Sequence, residues 1–165
     1  MKRRIKKNTK APMLAALLCA ALLIVSIFLP YFTAEAEYVE FLEAMEQDTS
    51  LSLYDFAVLY LEDNNDALAK VLGILGGLTA LATVFAYFRK PVLVMVFDVL
   101  ATGLAVIIRM IFSGSNYAYV FSIGSWLCFV AFAGMLASAI WMLVVKSQTK
   151  KKFAARKQKM ETLEV

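Results

Sequence analysis

The residue of this sequence best placed to do chemistry is an aspartate inside an apolar stretch. Asp98 follows Pro91 by seven residues, which puts its carboxyl about 10 Å into a hydrocarbon layer about 30 Å thick. A carboxyl at that depth is costly and is expected to face protein or water rather than lipid. Because burial disfavours the charged form, Asp98 is a candidate site for a proton or a small cation. The alternative is a carboxyl with a purely structural role.

Helical spacing brings polar side chains to the same region. Thr102 lies one turn from Asp98 on the same side of the helix. If the chain folds back at residues 89–90, Thr83 comes level with Asp98, and we expect its hydroxyl to donate to the carboxyl. Arg109 shares the face of Asp98, but about 16 Å separates them along the helix. A direct ion pair between the two is therefore excluded.

Few other residues suggest chemistry. The chain has no histidine, which removes the commonest general base and metal ligand. Cys19 and Cys128 lie in apolar stretches without a C-x-x-C motif, so we expect free thiols. Glu62, Asp63 and Asp66 offer oxygen ligands for Ca²⁺, but their spacing matches no EF-hand loop, and no nucleotide-binding or hydrolase motif occurs. We therefore expect no cofactor, no metal and no enzymatic activity.

The elements that position Asp98 are apolar runs. The chain is 61% hydrophobic, against about 45–50% in soluble domains. Four runs have membrane-spanning length, at residues 11–29, 67–88, 91–112 and 118–145,. The sequence thus predicts a single all-α integral membrane domain, an antiparallel bundle of four transmembrane helices.

The first apolar run has a second interpretation. A basic start, an apolar stretch and the segment Ala34-Glu35-Ala36 also resemble a signal peptide that is cleaved before Glu37. Residues 11–29 form a longer run than the usual 7–15 residues of a signal peptide's apolar region. We therefore favour a retained helix.

Charged residues are sorted along the chain. Residues 1–10 carry six cations, and Arg89 and Lys90 form the bend, whereas residues 30–66 carry ten acids and no Lys or Arg. The positive-inside rule predicts cytoplasmic termini and a cytoplasmic bend in the plasma membrane. The basic tail, residues 146–165, is expected to contact anionic lipid headgroups rather than nucleic acid. The tail residues assigned to this contact are Lys150, Lys151, Lys152, Arg156 and Lys157.

The outer segment, residues 30–66, is predicted to form an acidic cap of two helices. Over about 35–47, apolar residues recur at helical spacing with glutamates between them,. A second helix over about 53–62 is introduced by a capping box of Ser52 and Asp55.

Charges at the outer helix ends are expected to anchor this cap. Asp66 is predicted to cap the second span. Lys70 and Arg109 lie near the outer ends of their helices, and we expect both to extend outward and pair with the acids. A short outer turn, residues 113–117, joins the third and fourth spans.

Small residues indicate helix packing. Gly73, Gly77 and Ala80 share about a third of the circumference of the second span, which lets a neighbouring helix approach closely. We expect a binding, accessory or assembly subunit that acts through these faces or the outer cap, with a membrane-protein partner or a second copy. The alternative is a small transporter or channel subunit that uses Asp98.

The plan of four spans with a long first outer segment is shared by tetraspanins and claudins. Their outer-loop cysteines are absent here. The N-terminal third, with a basic start and one span ending in Leu29-Pro30-Tyr31-Phe32 before the outer segment, resembles small membrane proteins of Gram-positive bacteria. That resemblance is one of architecture and implies no particular activity.

Overall fold

Helices dominate the computed structural model, which describes residues 9–45, 48–55, 58, 66–115 and 119–161, without the side chains of 66–69, 111–115, 157 and 159–161. Four of the helices are long and apolar enough to cross a membrane, as the sequence predicts for a multi-pass membrane protein. The helices are α1 (Lys10–Phe28), α2 (Val39–Ala44), α3 (Asp66–Tyr87), α4 (Pro91–Ser115) and α5 (Ile123–Glu161).

The long helices pack through small side chains. α1 packs most extensively along α5, α3 along α4, and α4 along α5, while α1 and α3 touch over a smaller area. Alanines recur at the buried positions, where they allow the backbones to approach closely. The buried alanines of the long helices are Ala16, Ala20, Ala82, Ala86, Ala101, Ala105, Ala131 and Ala139.

A three-stranded antiparallel sheet lies where the sequence predicted only helices and loops. It consists of β1 (Pro30–Ala34), β2 (Ser50–Ser52) and β3 (Tyr119–Phe121) in the order β2-β1-β3. Phe32 is paired with both Leu51 and Phe121. The predominantly helical fold is therefore confirmed, whereas the prediction of a purely helical cap is wrong.

The composition of the strands explains this difference. Tyr31 and Phe32 in β1 and Phe121 in β3 belong to the aromatic residues that favour strands, and Pro30 stands at the strand start, where its missing N–H is tolerated. The rings interlock across the sheet, with centroids 5.0 Å apart for Tyr31 and Phe32 and 5.3 Å apart for Phe32 and Phe121. Pairing between strands about 90 residues apart leaves no periodic signal within either segment.

The predicted cap helices are only partly present. α2 covers six residues of the predicted 35–47, and of its apolar side chains Leu42 is buried while Phe41 is exposed. The capping box is confirmed, because the Asp55 N–H donates to Ser52 Oγ (3.1 Å) and Asp55 Oδ2 accepts from the Ser52 N–H (3.1 Å). The Ser52 hydroxyl also donates to Asp55 Oδ2 (2.6 Å), and the hydrogen bonds from this hydroxyl and from the Ser52 N–H lower the pKa of Asp55. Most of the predicted helix 53–62 lies outside the described residues.

The last helix is much longer than predicted. α5 begins at Ile123 rather than at residue 118, and it continues without a break through the basic tail to Glu161. Its 39 residues correspond to about 58 Å, more than the 40–45 Å of a whole bilayer. The basic segment is therefore a helical extension of the last span.

The turn between α3 and α4 is a tight helix stop. Arg89 has a φ of 56°, in the left-handed region, and the Lys90 N–H donates to the carbonyl of Phe85 (2.9 Å) while the Arg89 N–H donates to that of Ala86 (2.9 Å). This is a Schellman motif. Pro91 then starts α4, where a proline is well tolerated.

The turn also joins three helices at one end of the molecule. Arg89 Nε lies 3.2 Å from the sulfur of Met13 in α1, and Lys146 of α5 donates from Nζ to the Arg89 carbonyl. The sheet lies at the other end, because β1 follows α1 directly and β3 precedes α5.

Candidate functional site

Asp98 is buried within the protein. Its side chain is 1% exposed, and its Oδ1 atom has no hydrogen-bond partner in the described part of the chain. On the same helix, the buried residues Val94, Ala101 and Ala105 extend this face along α4. Asp98 therefore faces the protein interior, as the sequence predicts for a carboxyl at membrane depth.

The two threonines predicted to accompany Asp98 do not reach its carboxyl. The Thr83 hydroxyl donates to the carbonyl of Thr79 (2.8 Å), and the Thr102 hydroxyl donates to the backbone carbonyl of Asp98 (2.8 Å). In apolar surroundings a threonine hydroxyl is satisfied by the carbonyl one turn earlier on its own helix. The predicted hydrogen bond from Thr83 to the Asp98 carboxyl is therefore wrong.

The neighbour that the structure brings to Asp98 is a thiol. Cys19 of α1 lies close enough to interact electrostatically with the carboxyl, and the position of a Cβ on Gly134 of α5 would be 2.7 Å from its sulfur. Cys19 and Gly134 thus mark a close approach of α1 and α5, and Asp98 of α4 lies near Cys19. Sequence spacing within one helix carries no sign of this neighbour, because it lies on a different helix.

This environment favours a neutral carboxyl. Burying a neutral polar group without a hydrogen bond costs roughly 2–7 kcal/mol, and burying an unpaired charge costs far more. Among the described residues no cluster of His, Cys, Asp or Glu could hold a metal ion. Asp98 is thus not part of a cluster of three or more such residues in this part of the chain.

Among the described residues, Arg109 has aromatic neighbours rather than the predicted acidic ones. Its guanidinium carbon lies 4.4 Å from the ring centroid of Phe121, 4.9 Å from that of Trp126 and 5.5 Å from that of Phe129. A guanidinium is attracted to ring faces at such distances. The predicted outward pairing of Arg109 with the acidic segment is therefore not met within the described chain, and the residue connects α4 to β3 and α5.

The sheet closes over this arginine with a buried phenol. Tyr31 is 3% exposed, and burial raises its pKa to about 12. Its hydroxyl therefore stays protonated at physiological pH. The sequence shows aromatic residues at 121, 126 and 129. It does not show that they meet at Arg109, because this depends on the position of β3, which places Phe121 above the guanidinium.

The other predicted charge anchors lie at the start of α3. Asp66 is the first residue of the helix, and Lys70 is exposed one turn later. The side chain of Asp66 lies outside the described part of the structure, so its expected capping role stays a prediction.

An apolar groove separates α1 from α3. It has a volume of about 480 Å³ and is lined by residues of α1, α3 and α5 and by Leu53. The hydroxyl of Ser26 (2.7 Å to the Leu23 carbonyl) and that of Thr79 (2.9 Å to the Leu75 carbonyl) are satisfied within their own helices. The groove consequently offers an apolar surface to whatever occupies it.

The glycines of α3 have no neighbouring helix among the described residues. A Cβ added at Gly73, Gly76 or Gly77 would meet nothing within 4 Å. The prediction that Gly73, Gly77 and Ala80 pack a neighbouring helix is therefore not met within the described chain. Gly76 and Ala80 also line the groove, so the glycine face and the groove form one continuous surface.

The basic residues of the tail lie on the extension of α5. Lys150, Lys151, Lys152 and Arg156 are all exposed, whereas the Lys157 side chain lies outside the described part of the structure. Thr149 is buried among them and donates to the carbonyl of Val145 (2.7 Å).

No protein-family model matches the chain, and comparisons with curated proteins and with solved structures also give no match.

Proposed function

We propose that this protein is an assembly subunit of the plasma membrane that binds a transmembrane helix on the exposed glycine face of α3. The observation that supports this is the open space beside Gly73 and Gly77. Within a bilayer, small residues four apart let a second helix approach closely, and such contacts drive association through packing. The partner is another membrane protein or a second copy of this chain.

The adjoining groove extends the docking surface. A helix that lies against Gly73 and Gly77 also covers Ala80, which lines the groove between α1 and α3. Large apolar side chains of the partner then fill the groove. The hydroxyls that line the groove are already hydrogen-bonded within their own helices, so the partner needs no polar group to pair with them. The proposed function is thus non-enzymatic and rests on shape.

The proposed topology is an antiparallel four-helix bundle with both termini and the Arg89–Lys90 bend in the cytoplasm. It is supported by the contacts that join Met13, Arg89 and Lys146 at one end and by the positive-inside rule. The outer segment then presents exposed acids, including Glu37, Glu40 and Glu43, to an envelope partner.

The extension of α5 contacts the inner leaflet in this arrangement. Lys150, Lys151 and Lys152 lie about 8–10 Å beyond Val145 along the helix, close to the headgroup layer. Near the surface, each cation contributes about 1 kcal/mol of attraction to anionic lipid. Arg156 and Lys157 lie farther out and contribute less unless the helix tilts.

The docking surface is tested by affinity purification of the tagged full chain from solubilised native membranes, with mass spectrometry of the co-purifying proteins. We expect the Gly73→Leu, Gly77→Leu double variant to lose at least tenfold of the partner, or of an untagged second copy. Filling the glycine face keeps the partner helix at a distance and removes most of the packing contacts.

Gly103→Leu is the matched control. Gly103 lies in α4, is exposed, and has nothing within 4 Å of a Cβ, so the substitution adds the same bulk on a different helix. It should leave the partner yield unchanged. Equal yields from the double variant and the wild type, or cross-linking in native membranes that traps only monomer, would contradict the proposal.

A small transporter or channel subunit is the second candidate. The unpartnered Oδ1 of Asp98 is the observation in its favour. A single acid without a second charged relay residue makes a poor conduction pathway, and we therefore rank transport below assembly.

A further inference from the structure

We propose that Asp98 is a proton-binding site whose occupancy controls the packing of α4 against α5. The closed arrangement seen here holds the carboxyl in its neutral form. Loss of the proton requires these helices to separate far enough for water to reach the carboxylate. This proposal is independent of helix docking on α3, because it concerns a different helix and a buried face.

The surroundings of Asp98 determine the protonation state of its carboxyl. Asp98 is 1% exposed, and its Oδ1 has no partner among the described residues. An ionised carboxylate would need two or three hydrogen bonds or a cation to be stable there. A neutral carboxyl has one donor and a weak acceptor, so a single unpartnered oxygen is tolerated far more easily.

The titratable and charged groups around Asp98 do not compensate a negative charge on its carboxyl. From α1 the titratable group near Asp98 is the Cys19 thiol, which lies close enough for a charge on the carboxylate to act on it. The described cations of the other helices that pack on α4 lie toward the two ends. Lys146 of α5 donates to the Arg89 carbonyl at the turn, and Lys70 of α3 is exposed near the opposite end. None of them is placed to compensate a negative charge on Asp98.

A proton and a metal cation need different binding sites. A cation such as Na⁺ needs several oxygen ligands arranged around it, whereas a proton needs one carboxylate oxygen. The nearby hydroxyl of Thr102 donates to a backbone carbonyl (2.8 Å). The described residues form no group of three or more His, Cys, Asp or Glu that could hold a metal ion. The geometry therefore fits a proton.

The sign of the pH dependence follows from proton counting. Near neutral pH the closed form binds one more proton than the open or unfolded form, because Asp98 is ionised once water surrounds it. Stability therefore falls as pH rises, and the unfolding equilibrium constant increases by up to tenfold per pH unit over the range in which only the closed form keeps the proton.

The test is equilibrium unfolding of the full chain in detergent micelles between pH 5 and 9. We expect the wild type to lose stability with rising pH, and Asp98→Asn, which keeps the shape and lacks the charge, to lose this dependence. Asp55→Asn is the matched control, because its exposed carboxyl has a pKa lowered by hydrogen bonds from Ser52. Its linked stability changes only below about pH 4, so it should retain the wild-type dependence.

Two further measurements complete the test. An Asp98→Asn variant with the wild-type pH dependence would overturn the proposal. Stabilisation by Na⁺ over choline at fixed pH would also overturn it if Asp98→Asn abolishes that stabilisation, since that result assigns the site to a cation.

If the variant fails to fold, NMR of wild-type protein labelled with ¹³C at the aspartate carboxyls decides. One of the five aspartate signals should remain at the protonated position at pH 7, and five ionised signals would overturn the proposal.

Discussion

At the scale of single residues, Arg109 illustrates how a charge is accommodated near the end of a membrane helix. Its guanidinium lies against the rings of Phe121, Trp126 and Phe129 and thereby links three segments. Cation–π attraction is stronger where water is partly excluded. The residue is therefore a structural connection between α4 and the sheet as well as a charge.

We expect Arg109→Met to destabilise the protein by about 0.5–2 kcal/mol, because methionine keeps an apolar stem and loses the attraction to the rings. A double-mutant cycle with Phe121→Leu, measured by equilibrium unfolding in micelles, isolates the pairwise part. The two substitutions should couple by about 0.5–1 kcal/mol. A coupling energy of zero would show that the guanidinium is held by something other than Phe121.

At the scale of elements, α5 meets the N-terminal part of the chain at two glycines of different character. A Cβ on Gly124 would lie 2.8 Å from the carbonyl oxygen of Pro30 and 2.9 Å from that of Leu29. A Cβ on Gly134 would lie 2.7 Å from the sulfur of Cys19. The first neighbour is backbone at the start of β1, and the second is a side chain that can move or be shortened.

We therefore expect Gly124→Ala to destabilise the protein by roughly 1–3 kcal/mol, as overpacking does, because α5 and β1 must separate. Gly134→Ala should cost less, and adding Cys19→Ala should restore stability, since alanine also favours the helix by about 1 kcal/mol over glycine. The measurement is the unfolding midpoint in detergent. Equal losses at the two positions without rescue by Cys19→Ala would contradict the contact geometry.

How far the sequence predicts these elements depends on the range of the interactions. The four spans follow from local apolar composition, and the Ser52–Asp55 capping box follows from residues three apart. The sheet could not be predicted in this way, because β1 and β3 pair across most of the chain and each is at most five residues long. The same limit applies to the candidate site. The burial of Asp98 follows from its depth in a span, whereas the proximity of Cys19 requires the packing of two helices.

At the scale of the whole molecule, the two ends differ in chemistry. One end carries the sheet and the exposed acids of the outer segment. The other joins the start of α1, the Arg89 turn and the basic extension of α5. A bilayer placed between these ends orients the protein by its cations. That orientation decides which compartment each proposed partner occupies.

This orientation predicts opposite accessibility for Met45 and Ala155, which are both exposed. Single-cysteine variants at these positions, in a background with Cys19→Ala and Cys128→Ala, are treated with a membrane-impermeant maleimide in intact cells. We expect rapid labelling of Met45→Cys, because it lies in the acidic outer segment, and labelling of Ala155→Cys only after permeabilisation. Reaction of both cysteines from the same compartment would mean that Met45 and Ala155 lie on the same side of the membrane. The four-span arrangement would then be wrong, together with either the inner-leaflet contact of Lys150–Lys152 or the outer position of the acids.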